Sequence, residues 1–369
     1  MTRVCHLSSA HTGLDVRIFS KECVSLAEAG FDTHLVINAT PLDVEKAAVK
    51  GVKLHPLMPV TGRLSRMVQQ TWQCYKLGKQ LDADIYHFHD AELIPYGMLL
   101  SLAGKKVIYD VHEDLPKDIL SKDWIPRWAR RRMAGAAGVL EHLGARSFFS
   151  IATATPFIAR RFRRMNPKSM DINNYPLPDE LARAVAPVAR KRQVCYVGGI
   201  CRVRGIRPLI EALPLLPDMR LVLCGHFSES DFERELCALP GWGQVDYLGY
   251  VDRDTVGKVM AESLAGAVTL FPIPNYLDSL PIKMFEYMAA ELPVIASDFP
   301  LWRQIINDAD AGLCVDPHSP EAIASAIRRL ANDPALIERM GKSGRQAVLS
   351  SYNWPTEADK LIKFYKDLM

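Results

Sequence analysis

Two stretches of the chain alternate short apolar runs with amphipathic helical patterns, and this alternation strongly limits what the chain can fold into. The first stretch opens with an apolar run at residues 3–7, and the second restarts at residues 194–197. Repeated strand–helix–strand units of this kind build parallel sheets with helices on both faces. The sequence therefore predicts an α/β protein of two doubly wound, Rossmann-like domains, with the parallel sheets facing a central cleft.

The boundary between the predicted domains falls in a proline-rich segment. Residues 174–190 carry three prolines and little periodicity, which is typical of a linker. We therefore predict a first domain at residues 1–180 and a second at residues 181–352. The dipeptide Trp354-Pro355 sets off a last helix at residues 353–369, which we expect to pack back on the first domain.

Composition narrows the class of protein further. Of the 369 residues, 49% are apolar and 24% are charged, which is typical of a globular chain. No apolar stretch reaches the roughly 18 residues that a membrane span needs, and no signal-peptide pattern opens the chain. The cysteines form no C-x-x-C pair, which argues against a zinc ribbon or a redox motif. We expect a cytoplasmic protein without a spanning helix.

A candidate phosphate-binding turn follows the first strand of the second half. Gly198 and Gly199 end the strand, Arg202 and Arg204 come next, and a helix is expected to start near Gly205. Backbone N–H groups of such a turn, together with the helix N-terminus, bind phosphate, and arginines add charge. The pattern fits a nucleotide diphosphate, although a tight turn with solvated arginines explains it as well. The dinucleotide spacing G-x-G-x-x-G is absent.

Asp278 and Glu286 are two acids separated by seven residues near the start of another predicted helix. Ser279 and Pro281 have the residue types of a helix start, so Asp278 is expected just outside the helix and Glu286 more than one turn inside it. A carboxylate in this position can accept hydrogen bonds from both hydroxyls of a ribose. The alternatives are an N-cap role for Asp278 and a surface role for Glu286.

Polar residues also follow the predicted strands of the first half. His89 and Asp90 come after one strand, and His112 lies in the sequence "YDVHED" after the next. A cluster of histidines and acids can hold a metal, but the H-E-x-x-H spacing is missing and we expect no metal. The loop after the first strand carries His11, Asp15 and Arg17, where Asp15 equally suits a helix N-cap.

Residues 125–170 contain ten basic residues and one acid, although the whole chain carries a net charge of only +3. The arginines are interleaved with Trp124, Trp128, Phe157 and Phe162. Cations beside aromatic anchors suit an anionic membrane surface, a single-stranded nucleic acid, or simply a solvated face. The segment therefore predicts an anionic partner.

Several motifs in chain order resemble one enzyme family. The segment "SLPIKMFEYMAAELPVIASDFP", with "YVGGI…RGI" before it and "AGLCVDPHSPEAIASAI" after it, resembles the donor domain of family 4 retaining glycosyltransferases of the GT-B fold. In the first half, "DVRIFSKECVSLAEAGF", "DIYHFHDAELIPYG" and "VIYDVHED" resemble the subgroup that builds bacterial surface polysaccharides. The resemblance runs from about Met1 to the C-terminus.

The resemblance implies roles for individual residues. Glu286 takes the position that holds the ribose hydroxyls, and Asp278 the position of an acid that contacts the donor sugar. Arg204 takes the place of a lysine that neutralises the diphosphate, and His112 that of a histidine near the anomeric carbon. The implied catalytic set is His112, Asp278 and Glu286. The implied diphosphate ligands are Gly198, Gly199, Arg202, Arg204 and the backbone N–H groups of Ser279 and Leu280, and the base lies against Tyr250 and Val251.

Two departures from the family pattern bear on these roles. Asp278 is one methylene shorter than the glutamate of the pattern, which affects its reach to the sugar. Gly199 stands where the family has an arginine, so the charge facing the diphosphate is expected to come from Arg204, together with Arg202.

The implied activity is retaining transfer of a sugar from a nucleoside-diphosphate-sugar to a hydroxyl of a lipid-linked saccharide, without a metal or other cofactor. Non-catalytic binding by a GT-B-like subunit and nucleotide-sugar epimerisation are the alternatives. The family context favours a membrane over a nucleic acid as the anionic partner, and a peripheral place on the inner face of the cytoplasmic membrane. The acceptor candidates are His11, Asp15, Arg17, His89 and Asp90, and the membrane candidates are Arg131, Arg132, Arg160, Arg161 and Arg164.

Overall fold

The computed structural model describes residues 1–62, 65–121, 125–180 and 189–368. The chain forms two compact units, one of Met1–Asn174 with the segment from Glu357 onward, and one of Tyr175–Thr356. The chain thus changes unit at 174/175 and 356/357, whereas the sequence placed these changes at 180/181 and 352/353. Residue 181 lies outside the described residues.

The first unit contains one parallel sheet. In the described residues it has seven strands in the order β3-β2-β1-β4-β5-β6-β7. The chain runs outward from β1 to β3 and then returns to place β4 beside β1. The strands are β1 (Arg3–Thr12), β2 (Asp32–Asn38), β3 (Lys53–Pro56), β4 (Ile85–Phe88), β5 (Lys106–Val111), β6 (Ser150–Thr153) and β7 (Ser169–Asp171).

The second unit repeats this plan. Its described strands form a six-stranded parallel sheet in the order β10-β9-β8-β11-β12-β13, so the direction of winding reverses between β8 and β11. The strands are β8 (Gln193–Val197), β9 (Arg220–Cys224), β10 (Val245–Gly249), β11 (Ala265–Val268), β12 (Val294–Ser297) and β13 (Gly312–Val315). The predicted class of two Rossmann-like α/β domains is confirmed.

Helices connect the strands in both units. The first unit has α1 (Val16–Cys23 continuing as Val24–Glu28), α2 (Pro41–Val49), α3 (Arg66–Gln70 continuing as Thr71–Gln80), α4 (Ile94–Leu102), α5 (Leu115–Ser121), α6 (Arg127–Ser147) and α7 (Pro156–Arg163). The second unit has α8 (Ile206–Glu211), α9 (Ser230–Cys237), α10 (Arg253–Glu262), α11 (Ile282–Ala289), α12 (Pro300–Asp308), α13 (Pro320–Ala331) and α14 (Pro334–Ser350). The last helix, α15 (Trp354–Asp367), belongs to the first unit from Glu357 onward.

The central strands are short apolar runs because helices cover both faces of a parallel sheet. Strands β4, β11 and β12 are buried at every position. In the second unit two separate apolar clusters cover the two faces of the sheet, one including Tyr196 and Leu223 and the other including Cys195 and Val222. Adjacent residues of one strand thus point into different clusters, which holds each strand in register.

The strand order indicates where ligands should bind. In doubly wound sheets the crevice lies beyond the carboxyl ends of the strands, at the point where the winding reverses. In the first unit that point is beyond β1 and β4, and in the second it is beyond β8 and β11. No described helix combines the length and apolar character needed to span a membrane.

Candidate active site

Asp110, at the end of β5, is the centre of the polar cluster in the first unit. Its two carboxylate oxygens accept bidentate hydrogen bonds from Arg17 at 2.8 and 3.0 Å. Nε2 of His112 lies 2.8 Å and Nδ1 of His89 3.1 Å from the same Oδ2. Burial alone would raise the pKa of Asp110, but the Arg17 guanidinium and the histidines hold it well below its usual range. Asp110 thus fixes three predicted site residues.

Asp90, just beyond β4, is buried and fastens the end of β1. Its Oδ2 accepts from the hydroxyl of Ser8 at 2.8 Å and from the amides of Ser9 and Ala10 at 2.7 and 3.1 Å. Its Oδ1 lies 3.1 Å from Nδ1 of His11. Although burial opposes ionisation, these contacts lower the pKa of Asp90 and raise that of His11. β1 therefore extends to Thr12, beyond the expected end at residue 7.

Two of the acceptor candidates have structural partners. The carboxylate of Asp15 accepts from the amides of Arg17 and Ile18, both at 2.9 Å, and so caps α1, which is the alternative that the sequence had left open. Arg17 is 5% exposed and also donates to the carbonyl of Ile172 at 3.0 Å. His11 and His112 remain partly accessible, with ring centroids 5.5 Å apart.

A layer of buried ionisable groups, here called the histidine cluster, lies among β1, α1, β4 and α15. It consists of His6, Glu22, His87, His89 and Tyr365. Nδ1 of His6 lies 2.9 Å from Nε2 of His89, and the Tyr365 hydroxyl lies 2.6 Å from Nδ1 of His87. Among the described residues neither Glu22 oxygen has a hydrogen-bond partner, although Arg17 lies 3.0 Å from Oε1.

Burial sets the protonation of the histidine cluster. It lowers the pKa of His6 and His87 well below the usual value and that of His89 to about 3. It raises the pKa of Glu22, with a further contribution from Asp110. The three imidazoles are therefore neutral at neutral pH.

Two groups of described residues have the ligand types and spacing that a metal ion requires. His6, Glu22, His87 and His89 form one, and His89, Asp110 and His112 form the other. In the first group His6 contacts His89, whereas Nε2 of His87 and both Glu22 oxygens have no hydrogen-bond partner among the described residues. In the second group Asp110 is paired with Arg17. Some of the potential ligand atoms in each group are therefore already engaged in hydrogen bonds.

In the second unit, the turn after β8 has a backbone that requires glycine. Gly198 has φ +130° and Gly205 has φ +66°. A Cβ atom on Gly205 would lie 1.7 Å from the carbonyl oxygen of Thr269, so no side chain fits there. The helix α8 begins at Ile206, directly after this glycine, as the sequence predicted.

The two arginines of this turn have different surroundings. Arg204 is half-buried, and a Cβ atom built on Gly198 would lie 3.5 Å from its Nη1. Arg202 is exposed and forms ion pairs with Glu229, Asp231 and Glu235 at 3.2, 3.0 and 2.5 Å. Of these two arginines, Arg204 alone presents its charge to the glycine turn without carboxylate partners among the described residues.

Glu286 is the fifth residue of α11 and is only 6% exposed. Nη2 of Arg253 donates to its Oε1 at 2.8 Å, and Nε of Arg253 donates to Glu180 at 2.8 Å. The predicted place of Glu286, more than one turn inside the helix, is correct. A buried carboxylate with an arginine on one oxygen can still accept hydrogen bonds on the other.

The segment before α11 differs in detail from the prediction. The N-cap residue is Pro281, without a side-chain cap, and Ser279 does not cap the helix. The Ser279 hydroxyl and amide both donate to the Tyr276 carbonyl, at 2.9 and 3.1 Å, so this amide is already bonded. Asp278 and Leu280 are half-buried beside it.

The candidate base-binding residues lie in the loop after β10. Tyr250 is 75% exposed and stacks on His226, with ring centroids 5.5 Å apart. Val251 is half-buried and precedes Asp252, whose carboxylate caps α10. The exposed Tyr250 ring is thus available to a planar ligand.

The basic residues proposed for membrane contact do not all face solvent. Arg131, Arg132, Arg160 and Arg164 are exposed. Arg161 is 29% exposed and pairs with Glu141 at 2.6 Å and with Asp114 at 3.1 Å. Arg161 therefore stabilises the packing of α7 within the first unit and is not a surface cation.

Two polar residues were not assigned a role from the sequence. In the sequence, Asp110 is one of several acids near a strand end. The feature that could have identified it is its position as the penultimate residue of β5, two residues before His112. Lys283 precedes Glu286 by one helical turn and is buried, with Nζ 2.9 Å from the Tyr196 hydroxyl. A lysine inside an otherwise apolar helical stripe was the signal for that residue.

Two family models cover nearly all of the chain. The model described as "Glycosyl transferase 4-like domain" matches residues 16–173, and "Glycosyl transferases group 1" matches residues 179–347. The two matches correspond closely to the two structural units. They include the predicted second-unit site from Gly198 to Glu286.

Curated relatives are similar to the chain at modest identity. An uncharacterized glycosyltransferase of Methanocaldococcus jannaschii is 27% identical over 213 residues, 56% of this chain and 53% of the relative. The chain spans about half the length of the first curated relatives that it matches. A phosphatidyl-myo-inositol mannosyltransferase of Mycobacterium tuberculosis is 27% identical over 357 residues, 90% of this chain and 88% of the relative.

A solved structure shares the complete fold. HepE of Anabaena, in complex with UDP and glucose, superposes with a TM-score of 0.75 over 100% of both chains at 14% identity. A structural similarity at such a low sequence identity shows only a shared fold, whereas the two family models show the sequence family. The chain belongs to the family 4 glycosyltransferases of the GT-B fold.

Proposed function

We propose that the chain is a retaining glycosyltransferase that uses a nucleoside-diphosphate-sugar as donor. The observation that carries the proposal is the buried carboxylate of Glu286, held by Arg253 on the helix whose Lys283 lies beside the glycine turn. A carboxylate of this kind suits the two hydroxyls of a ribose. The turn at Gly198 suits a diphosphate because a glycine allows close approach and Arg204 supplies a positive charge, although the Gly198 amide itself donates to the Cys224 carbonyl at 2.8 Å.

At the donor, the protein promotes the reaction by electrostatic stabilisation. As the bond between sugar and diphosphate breaks, negative charge grows on the leaving phosphate oxygen, and a preorganised cation stabilises it. Arg204 supplies that charge in the proposal. Among solved relatives of this fold, HepE was crystallised with UDP and with UDP-glucose, which supports a nucleotide-sugar as the ligand class.

We propose that no metal ion takes part. The glycine turn and Arg204 replace the role that a divalent cation has on other diphosphates. No side chain acts as a covalent nucleophile in this scheme, and the acceptor hydroxyl passes its proton to the leaving phosphate oxygen. His112 at the donor sugar and Asp278 beside it remain predictions from the family resemblance.

The acceptor is assigned to the first unit. His11 and His112 are the partly accessible members of the cluster around Asp110 and Asp90, and both can exchange hydrogen bonds with a saccharide hydroxyl. Asp15 and Arg17 have structural roles. Asp15 is the N-cap of α1, and Arg17 is the partner of Asp110. His89 is buried, so it orients the other residues of the cluster and does not bind the saccharide itself.

A lipid-linked acceptor and a peripheral membrane position complete the proposal. Helix α6 exposes Trp128, Val139 and Leu143 at 73%, 61% and 52%, together with Arg131 and Arg132. Exposed apolar and basic residues on one helix favour an anionic lipid surface. The similarity to a relative named phosphatidyl-myo-inositol mannosyltransferase supports a lipid as part of the acceptor. Surface-polysaccharide synthesis is the pathway that the motifs favour.

The test is donor hydrolysis without acceptor. UDP-glucose, GDP-mannose and ADP-glucose are incubated with the wild-type chain and with Glu286→Gln, and release of nucleoside diphosphate is followed. We expect slow release from one donor, an initial sugar product of the donor's own anomeric configuration by NMR, and loss of release in Glu286→Gln. Binding without release supports a non-catalytic subunit, and a changed sugar still linked to the nucleotide supports an epimerase.

A further inference from the structure

A second cation, Lys283, lies beside the glycine turn. A Cβ atom built on Gly198 would lie 2.9 Å from Nζ of Lys283 and 3.5 Å from Nη1 of Arg204. Both positive charges therefore converge on the backbone of one glycine. They reach it from different elements, Arg204 from the turn before α8 and Lys283 from α11.

Lys283 is buried in a way that is costly for a lysine. It is 8% exposed, and its Nζ lies 2.9 Å from the Tyr196 hydroxyl and 4.0 Å from the centroid of that ring. These are neutral or weak partners, and a desolvated ammonium needs more compensation than they provide. Burial, with the nearby Arg204, lowers the pKa of Lys283 well below its usual value.

No carboxylate balances the two cations. Within the part of the chain that the structure describes, neither Lys283 nor Arg204 forms an ion pair, whereas Arg202 in the same turn has three acidic partners. Glu286, one helical turn from Lys283, is paired with Arg253. The charge of Arg204 is thus uncompensated beside Gly198, and a bound anion would also favour the charged form of Lys283.

We propose that Lys283 is a second cationic ligand of the donor diphosphate, acting with Arg204 across the Gly198 backbone. The inference rests on the proposed function, since it assumes a nucleoside diphosphate at this turn. It also accounts for Gly199, which stands where the family resemblance leads us to expect an arginine. The charge missing at Gly199 is supplied by a different element, α11.

The helix geometry agrees with a single ligand that touches both residues of α11. Lys283 and Glu286 are three residues apart, which places them on the same face of the helix about 4.5 Å apart along its axis. Glu286 then meets the ribose while Lys283 meets the adjoining phosphates. One face of α11 therefore binds both the ribose and the diphosphate.

The experiment separates diphosphate binding from nucleoside binding. UDP, GDP and ADP are titrated into the wild-type chain by calorimetry, and the nucleotide that binds best is chosen together with its nucleoside. The variant Lys283→Met removes the charge and retains most of the side-chain length. We expect a loss of about 10- to 100-fold in affinity for the diphosphate, the range for a hydrogen bond to a charged group, and less than about a threefold change for the nucleoside.

Two controls establish that the effect is local. Lys342→Met replaces an exposed lysine of the same unit, paired only with Glu338 in the described structure, and should leave both affinities unchanged. Melting without ligand should be unchanged or higher in Lys283→Met, because a poorly compensated buried cation has been removed. A merely structural lysine would instead lower the melting temperature and weaken diphosphate and nucleoside alike.

The outcomes distinguish this inference from the proposed function. If the wild-type chain binds a nucleoside diphosphate and Lys283→Met binds it equally well, the role of Lys283 is overturned while the donor assignment stands. Parallel loss of both ligands with a lower melting temperature also overturns it. If the wild-type chain binds none of the three diphosphates, both proposals are overturned.

Discussion

Nη2 of Arg253 donates a hydrogen bond to Oε1 of Glu286, with 2.8 Å between the two atoms. Arg253 is itself fixed by a second hydrogen bond, from Nε to Glu180. The pair joins α10 to α11 and leaves the second Glu286 oxygen for a ligand. Arg253 is a positioning residue in this account because it acts on the nucleotide through Glu286.

Replacing Arg253 should weaken nucleotide binding without abolishing it. In Arg253→Met the Glu286 carboxylate loses its orienting partner and gains rotamer freedom, so we expect about a 3- to 10-fold loss in affinity for the nucleoside diphosphate. Calorimetric titration measures this loss. A double variant with Glu286→Gln should lose no more than Glu286→Gln alone, and fully additive losses would contradict the positioning role.

Removing the charge of Asp110 should destabilise the first unit. Asp110→Asn leaves the buried guanidinium of Arg17 without its bidentate partner, and breaking a buried pair in this way costs about 3–5 kcal/mol. Urea unfolding followed by circular dichroism measures the change. Asp171→Asn, at an exposed pair with Arg163, is the control and should cost less than about 1 kcal/mol. Equal losses for the two variants would show that Asp110 is not the centre of the cluster.

The histidine cluster should make the protein less stable at acid pH. The folded-state pKa values of His6, His87 and His89 are lowered, so below about pH 6.5 the unfolded chain binds protons that the folded chain does not. The raised pKa of Glu22 has the opposite effect on stability. Glu22 contributes one titrating proton, whereas the three histidines contribute three. The free energy of unfolding should therefore fall between pH 6.5 and pH 5.

A variant isolates this contribution from the rest of the chain. In His87→Asn the slope of unfolding free energy against pH should decrease by about 1.4 kcal/mol per pH unit below pH 6.5, the value for one titrating group. Urea unfolding at pH 5, 5.5 and 6 gives the slope. An unchanged slope would mean that His87 is protonated in the folded protein.

Exposed arginines should control binding to anionic vesicles. Reversal of Arg131, Arg132, Arg160 and Arg164 to glutamate should remove most binding to vesicles containing phosphatidylglycerol, since each cation near such a surface contributes about 1 kcal/mol. Arg161 is left intact because its ion pairs stabilise α7. Co-sedimentation measures the bound fraction, and a control with Arg339→Glu and Lys342→Glu should bind normally. Unaltered binding by the fourfold variant would rule out this surface.

A chelator should leave the protein unaffected. Both groups of potential ligands in the first unit are already joined by hydrogen bonds and by Arg17. We expect EDTA to change neither the melting temperature nor donor hydrolysis, and elemental analysis of the purified chain to find no stoichiometric metal. Activity lost with EDTA and restored by a divalent cation would contradict the metal-free scheme.

The repeating fold could be predicted from the sequence because it depends on local pattern. Short apolar runs followed by amphipathic helices specify parallel strands, and the two sheets follow from them. The position of Glu286 inside α11 was predictable for the same reason. Hydrophobic periodicity thus determined which residues lie at the strand ends.

The pairing of charged side chains could not be predicted, since it depends on contacts distant in sequence. Arg17 and Asp110 are 93 residues apart, and Arg161 meets Asp114 across 47 residues. The sequence therefore made Arg17 an acceptor ligand and Arg161 a membrane contact. Likewise, Lys283 was given no role from the sequence, because only the fold brings it beside Gly198.

The central claim is that Glu286 binds the ribose of a nucleoside diphosphate, and one calorimetric comparison tests it. UDP, GDP and ADP are titrated into the wild-type chain and into Glu286→Gln, with folding of the variant verified by its melting temperature. We expect saturable binding of at least one diphosphate to the wild-type chain and a loss of at least about tenfold in the variant. Equal affinity in a folded Glu286→Gln, or no binding to the wild-type chain, would contradict it.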